Sequence, residues 1–149
     1  MFLRAVIAFL VLPGVVAILV PVASLWLGKH TQVVQPFGLV PLVAGFMGLL
    51  WCVRDFYVSG KGTLAPWAPP SELVSVGLYR YSRNPMYVCV TTALVGWGVS
   101  FGSTGLLIYA ACVLVAFHLR VVLGEEPWLA STYSSRWEEY KQRVPRWLL

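Results

Sequence analysis

Charge is what this sequence has least of. Asp, Glu, Lys and Arg supply only 11% of its 149 residues, where a soluble domain carries about 25%. Acidic groups are scarcest, six against eleven Lys and Arg, which leaves a formal net charge of +5. Cysteine and histidine are fewer still, at three and two, and there is no internal repeat or low-complexity tract. Each shortage excludes something. With so little charge the chain can neither stay disordered nor clothe a soluble core, and it lacks the e/g charges of a coiled coil. Three cysteines do not make the framework of a disulfide-rich secreted fold. No soluble basic face exists for nucleic acid.

Apolar residues are plentiful instead, at 58% with a mean hydropathy of +0.74, and they fall in blocks. A helix needs about 20 apolar residues to cross a hydrocarbon core of roughly 30 Å. The blocks predict an all-α integral membrane protein, one membrane-embedded domain over 1–149, with four spans at about 5–27, 36–53, 85–101 and 105–122. The first run is too long for the roughly 7–15 residues of a signal-peptide core, so it reads as a retained span. Pro13 and Pro21 fit there if neighbours satisfy the carbonyls they release. Phe101-Gly102-Ser103-Thr104-Gly105 splits the last apolar stretch, so helices three and four should form a tight hairpin. Gly98 and Gly102 have the spacing of a small-residue helix contact. No strand precedes Gly96-Trp97-Gly98, so it is not a nucleotide loop.

Ten of the eleven Lys and Arg fall on one side of these spans, and only Lys29 on the other. Positive charge stays inside, which puts both termini in the cytoplasm, with a bacterial inner membrane as the expected compartment. The charge also suits contact with anionic lipids. Cys52, Cys89 and Cys112 lie within spans and read as packing residues. His30 and His118 fall on opposite sides, so no metal site is expected.

The unusual chemistry is cytoplasmic. The loop at 54–84 is far longer than an ordinary connection and is rich in proline and aromatics. At its end Asn84-Pro85 has the form of a helix start, Asn as N-cap and Pro at the first helical position. Glu125-Glu126-Pro127 follows the last span. Its plainest role is to cap a helix beginning at Pro127. Arg120, five residues before Glu125, reaches it only if the helix end is irregular. In the tail, 123–149, Leu129, Tyr133, Trp137, Tyr140 and Val144 share one helical face, and Glu139 and Arg143 pair on another. This amphipathic C-terminal helix either lies in the membrane interface or closes, with the 54–84 loop, over the two glutamates.

In order, Arg83-Asn84-Pro85-Met86-Tyr87, Gly96-Trp97, Ser103-Thr104-Gly105-Leu106-Leu107 and Glu125-Glu126-Pro127 resemble the phospholipid N-methyltransferases. With Tyr133, Tyr140, Arg143 and Val144, the region also resembles the isoprenylcysteine carboxyl methyltransferases, and Gly62-Thr63-Leu64-Ala65-Pro66 is similar to their bacterial members. The likeness covers roughly 54–147. It implies methyl transfer from S-adenosylmethionine to a lipophilic acceptor entering from the bilayer, a prenylcysteine-like carboxylate or a lipid amine or thiol. Carried over by position, it implies catalytic roles for Arg83 and Glu125. Cofactor contacts fall to Tyr79, Asn84, Tyr87, Arg120, Glu125 and Glu126. The carboxylates suit ribose hydroxyls or the cofactor amino group, and Arg83 and Arg120 suit its carboxylate or an acid on the substrate. The tyrosines, Tyr81 included, suit adenine or the sulfonium. Asn84 stands where the carboxyl methyltransferases often have His, and Ser134-Ser135 replaces a glycine region of the tail. Two other classes fit the composition: a non-catalytic scaffold or small transporter, which uncharged spans disfavour, and a sterol-reductase-like membrane enzyme.

Overall fold

A computed structural model describes residues 10–30, 32–60 and 71–148, with side chains from Pro13 onward. The start of the expected first span at 5–9, the charges Arg4 and Lys61, and the proline-rich run 62–66 lie outside the described residues. Among the described residues the chain is helical throughout, with no strand. Pro36–Val58 and Thr104–Arg143 are long and apolar enough to cross a membrane, and Pro13–Leu27 and Pro85–Ser100 are shorter apolar helices.

Helix α1 is wound in two ways, as a π-helix over Leu10–Leu19 and as an α-helix over Val20–Leu27. The change falls between Leu19 and Val20, just ahead of Pro21. A proline has no N–H to give, so the carbonyls four and five residues back lose their helical donor. Both find partners on other helices. Trp97 donates its indole N–H to the Ala17 carbonyl at 2.9 Å, and the Tyr109 hydroxyl donates to the Val16 carbonyl at 3.3 Å. The two released carbonyls thus bind α1 to the rest of the bundle.

Helix α2 enters through a 3₁₀ turn, Pro36–Gly38, and continues over Leu39–Val58. It runs five residues past the expected end at 53, because Asp55 is buried inside the last turns and does not face water. Helix α3, Pro85–Ser100, lies against α2 at close range. A Cβ on Gly45 would stand 2.6 Å from the Ala93 nitrogen, and one on Gly96 2.6 Å from the Leu42 Cα. The small-residue contact is therefore real but differently composed than expected. Gly98 does meet a helix, since its Cβ would lie 2.6 Å from Leu107 of the next one. Gly102 does not, because with φ +60° it makes the hairpin turn, a left-handed conformation that suits glycine.

Helix α4, Thr104–Arg120, starts at Ser103, whose hydroxyl accepts from the Leu106 N–H at 3.4 Å. It does not stop at 122. The path continues as a π-turn, Val121–Glu125, and as α5, Glu126–Tyr133. It breaks at Ser134, with φ +44°, and resumes as α6, Ser135–Arg143. The single tail helix of the sequence reading is thus two, and Val144 beyond them is extended. No fresh helix is capped at Pro127, and neither glutamate makes a cap hydrogen bond.

Buried residues gather in three clusters. Ala17, Leu49, Val90, Leu94 and Ala110 join all four apolar helices. Cys52, Val74 and Tyr79 seat the 3₁₀ turn Gly77–Arg80 on α2 and α3. Trp137, Tyr140 and Val144 pack with Leu73, Leu129 and Tyr133, so the tail's apolar face lies against the 71–81 segment. The Tyr140 hydroxyl seals that contact by donating to the Tyr79 carbonyl at 2.7 Å.

Gly77 is the tight point of the loop. Its φ is +56°, and a Cβ there would fall on the buried Asp55 carboxylate and 3.0 Å from the Trp51 indole nitrogen. Gly77→Ala is expected to cost about 2–5 kcal/mol, from left-handed strain together with overpacking. Thermal unfolding in detergent checks this, and a midpoint equal to wild type refutes it.

Candidate active site

The hairpin makes α3 and α4 antiparallel, so the start of α3 and the end of α4 are neighbours. Glu125 and Glu126 are consecutive, yet each serves a separate cluster.

Glu125 is gripped from two helices. Tyr87, in the first turn of α3, donates its hydroxyl to Glu125 Oε1. Arg120 Nε lies 2.8 Å from the same oxygen and 3.1 Å from the tyrosine hydroxyl. Five residues separate Arg120 from Glu125, a wrong spacing for an α-helix and the right one for a π-turn, whose ladder runs i to i+5. The turn Val121–Glu125 is the irregularity that the pairing requires. The Tyr87 ring is held by Phe117, stacked with centroids 4.3 Å apart.

Glu126 sits between two arginines. Arg83 Nη1 reaches Oε1 at 2.9 Å, and Arg146 forks across both oxygens, Nε to Oε1 at 2.8 Å and Nη2 to Oε2 at 2.9 Å. Burial alone would push this carboxyl up. The Arg146 hydrogen bond and the charges of Arg83, Arg146 and Lys141 outweigh it and hold Glu126 below the usual carboxylate range. The Arg83 side chain is only 8% exposed, stands over the Trp137 ring at 5.4 Å, and leaves its own Nε buried without a partner.

Two expected site residues are placed otherwise than their sequence context implied. Asn84 stands at the N-cap position of α3 but makes no cap bond. Its amide donates instead to the Arg146 carbonyl at 3.0 Å, and its backbone N–H goes to the Ser82 hydroxyl at 3.1 Å. Tyr79 is outside both charged clusters. Its ring packs 5.5 Å from Phe56 in the loop core, and burial pushes its hydroxyl well above the ordinary range. Tyr81 is 69% exposed. Arg83, Tyr87, Arg120, Glu125 and Glu126 are brought together, with Asn84 beside them.

Sequence reasoning missed Arg146 and Ser82. Arg146 counted only toward topology, although Val144-Pro145 ahead of it marks an extended stop after a helix. Ser82, fully buried, gives its hydroxyl to the Arg146 carbonyl at 3.2 Å. Nothing in its own neighbourhood distinguishes it from a loop serine. Among the described residues no three of His, Cys, Asp and Glu gather into a group that could hold a metal ion.

Apolar helices whose charged clusters gather at one end have the architecture of a membrane-associated protein. Residues 35–136, about two thirds of the chain, match the phospholipid methyltransferase family. The chain belongs to that family, within the superfamily that also holds the isoprenylcysteine carboxyl methyltransferases, and methyl transfer is the general activity of that family.

The chain is also similar to two curated proteins. It is 32% identical over 110 residues to the nickel-cobalt-cadmium resistance protein NccN of Alcaligenes xylosoxydans xylosoxydans, covering 72% of this chain and 46% of that protein. It is 28% identical over 108 residues to the cobalt-zinc-cadmium resistance protein CzcN of Cupriavidus metallidurans, covering 72% and 45%. The chain thus spans less than half the length of these relatives. No solved structure matches it.

Proposed function

We propose that the protein transfers the methyl group of S-adenosylmethionine to a lipophilic acceptor that arrives from the bilayer. It does so on four spans with both termini in the cytoplasm. The observation that carries this reading is the charge balance of the site. Arg83, Arg120 and Arg146 outnumber Glu125 and Glu126 by one, and a buried Arg83 Nε still lacks an acceptor. A site with one carboxylate too few fits a ligand that brings its own, as the amino-acid end of this cofactor does.

When bound, the cofactor supplies an electrophilic methyl group on a sulfonium. The chain supplies placement and electrostatics, which give most of the help in an in-line displacement. Arg83, buried and braced on Trp137, holds a carboxylate. Glu125 is 32% exposed at its side chain. Its Oε1 is occupied by Tyr87 and Arg120, which leaves Oε2 for a hydroxyl or ammonium donor. Arg120, 56% exposed at the end of an apolar helix, meets an acidic group on the acceptor. The packed loop and tail shield Arg83 and Glu126 from water.

Titration calorimetry of the detergent-purified protein with S-adenosylhomocysteine tests the reading, paired with transfer of labelled methyl groups into extracted membrane lipids. Wild type is expected to bind and to label a lipid fraction. Glu125→Gln is expected to fold and to bind about tenfold or more weakly, the worth of a hydrogen bond to a charged group. Absence of binding by wild type refutes the cofactor assignment.

A further inference from the structure

Three consecutive residues of the tail, 145–147, touch almost every element of the site. The Pro145 carbonyl accepts the Arg83 backbone N–H at 2.9 Å. The Arg146 carbonyl accepts both the Ser82 hydroxyl and the Asn84 amide, while its guanidinium forks onto Glu126. The Trp147 indole donates to His118 Nδ1 on α4 at 3.3 Å. This short strap therefore ties the root of α3, the start of α5 and the end of α4 to one another.

We propose that Arg146 is a positioning residue of the active site, which sets the orientation and ionisation of Glu126 and the direction of Asn84. Of the three hydrogen bonds that hold the Glu126 carboxylate, Arg146 makes two and alone reaches Oε2. Arg83 holds one oxygen through one nitrogen, which leaves the carboxylate free to turn about its own axis. A second grip on the other oxygen removes that freedom. The fork also offsets burial, so that Glu126 keeps its charge beside Arg83. The same residue's carbonyl draws the Asn84 side chain away from the α3 cap, leaving the first-turn N–H groups of that helix without a side-chain acceptor.

The strap is a poor fit to the opposite role, a built-in competitor that a ligand must displace. Displacing the Arg146 side chain alone would leave its carbonyl and both neighbours pinned. Displacing the whole strap would orphan the buried Ser82 hydroxyl and the Arg83 N–H, and buried polar groups without partners are costly.

The inference rests on the methyltransferase reading for its binding arm only. The test uses the full chain in detergent. Titration of Glu126 is followed by isotope-edited infrared absorption of its carboxylate, and S-adenosylhomocysteine binding by calorimetry. In Arg146→Ala the Glu126 titration is expected to move upward in pH, and binding to weaken about tenfold to a hundredfold. Arg146→Lys is expected to restore much of the titration, being a cation, but little of the binding, since an ammonium cannot fork across a carboxylate. The double variant Glu126→Gln/Arg146→Ala is expected to bind no worse than Glu126→Gln alone. An unmoved titration in Arg146→Ala, or binding as tight as wild type or tighter, overturns the proposal. If the alanine variant does not fold, the lysine variant decides by its binding, and affinity equal to wild type overturns the proposal. If wild type binds no S-adenosylhomocysteine, the cofactor reading fails and the titration alone decides Arg146.

Discussion

A chain lacking residues 128–149 is expected to lose S-adenosylhomocysteine binding altogether while keeping its apolar helices folded. The two halves of that outcome have separate causes. The cluster that joins the four apolar helices, Ala17, Leu49, Val90, Leu94 and Ala110, contains no tail residue, so the bundle keeps its core. The charged end loses its cover. Trp137, Tyr140 and Val144 are each less than a tenth exposed, and burying side chains of this size contributes about 1.5–3 kcal/mol apiece. Their apolar neighbours lie in the 71–81 segment and the start of the tail, with Arg83 over the Trp137 ring. Without the tail that segment keeps only its seat on α2 and α3, the Tyr79 carbonyl and Arg83 N–H lose their partners, and Glu126 loses Arg146. Circular dichroism for helix content and calorimetry for binding read the two halves. A truncated protein that binds with native affinity would show the tail to be a surface attachment and refute the packed cover.

Removing the Glu126 side chain is expected to be the most damaging single change at the site. Arg83 and Arg146 share this one carboxylate as counterion, and Arg83 is 92% buried on the 8% exposure of its side chain. Breaking a buried ion pair by deleting one partner costs about 3–5 kcal/mol, because the remaining charge stays buried and uncompensated. Arg146, 35% exposed, can turn to water, so the burden falls on Arg83. Glu126→Ala should therefore lower thermal stability markedly and abolish binding. Glu126→Gln, which keeps an acceptor oxygen, should unfold at an intermediate temperature. If Glu126→Ala unfolds at the wild-type temperature, Arg83 is not the buried, dependent cation described here.

The loop and the tail explain each other. The stretch before α3 is long for a connection, and residues 71–84 of it are held by tail residues at Tyr79, Ser82, Arg83 and Asn84. The tail in turn buries its aromatic face on the loop, with Leu73 beside Trp137 and Tyr140. The loop is also seated on α2 and α3 through Val74 and Tyr79. Function and fold are joined here, since the contacts that order these segments also order Arg83 and Glu126.

By itself the amino-acid sequence determined the helical, apolar character of the chain, the hairpin between α3 and α4, and the two motifs that meet at its end. These are local matters. Hydropathy summed over a span, Gly102 and Ser103 at a turn, and a proline after Asn84 act on their own neighbourhoods whatever the rest of the chain does. The family resemblance carried by those motifs was legible for the same reason. Tertiary structure alone decided the rest. A single shift of the hydrogen-bond ladder, from i+4 to i+5 across Val121–Glu125, turned Arg120 onto Glu125 and carried α4 on into α5. Composition does not record such a shift, because its stability comes from Tyr87 across the hairpin and not from the five residues themselves. Asn84 turned from cap to strap because the Arg146 carbonyl, 62 residues away, was the better-placed acceptor. Tyr79 went into the core because the loop needed an aromatic to bury against Phe56 and Cys52. Each of these outcomes depends on which surfaces meet, and that is settled only when the whole chain packs.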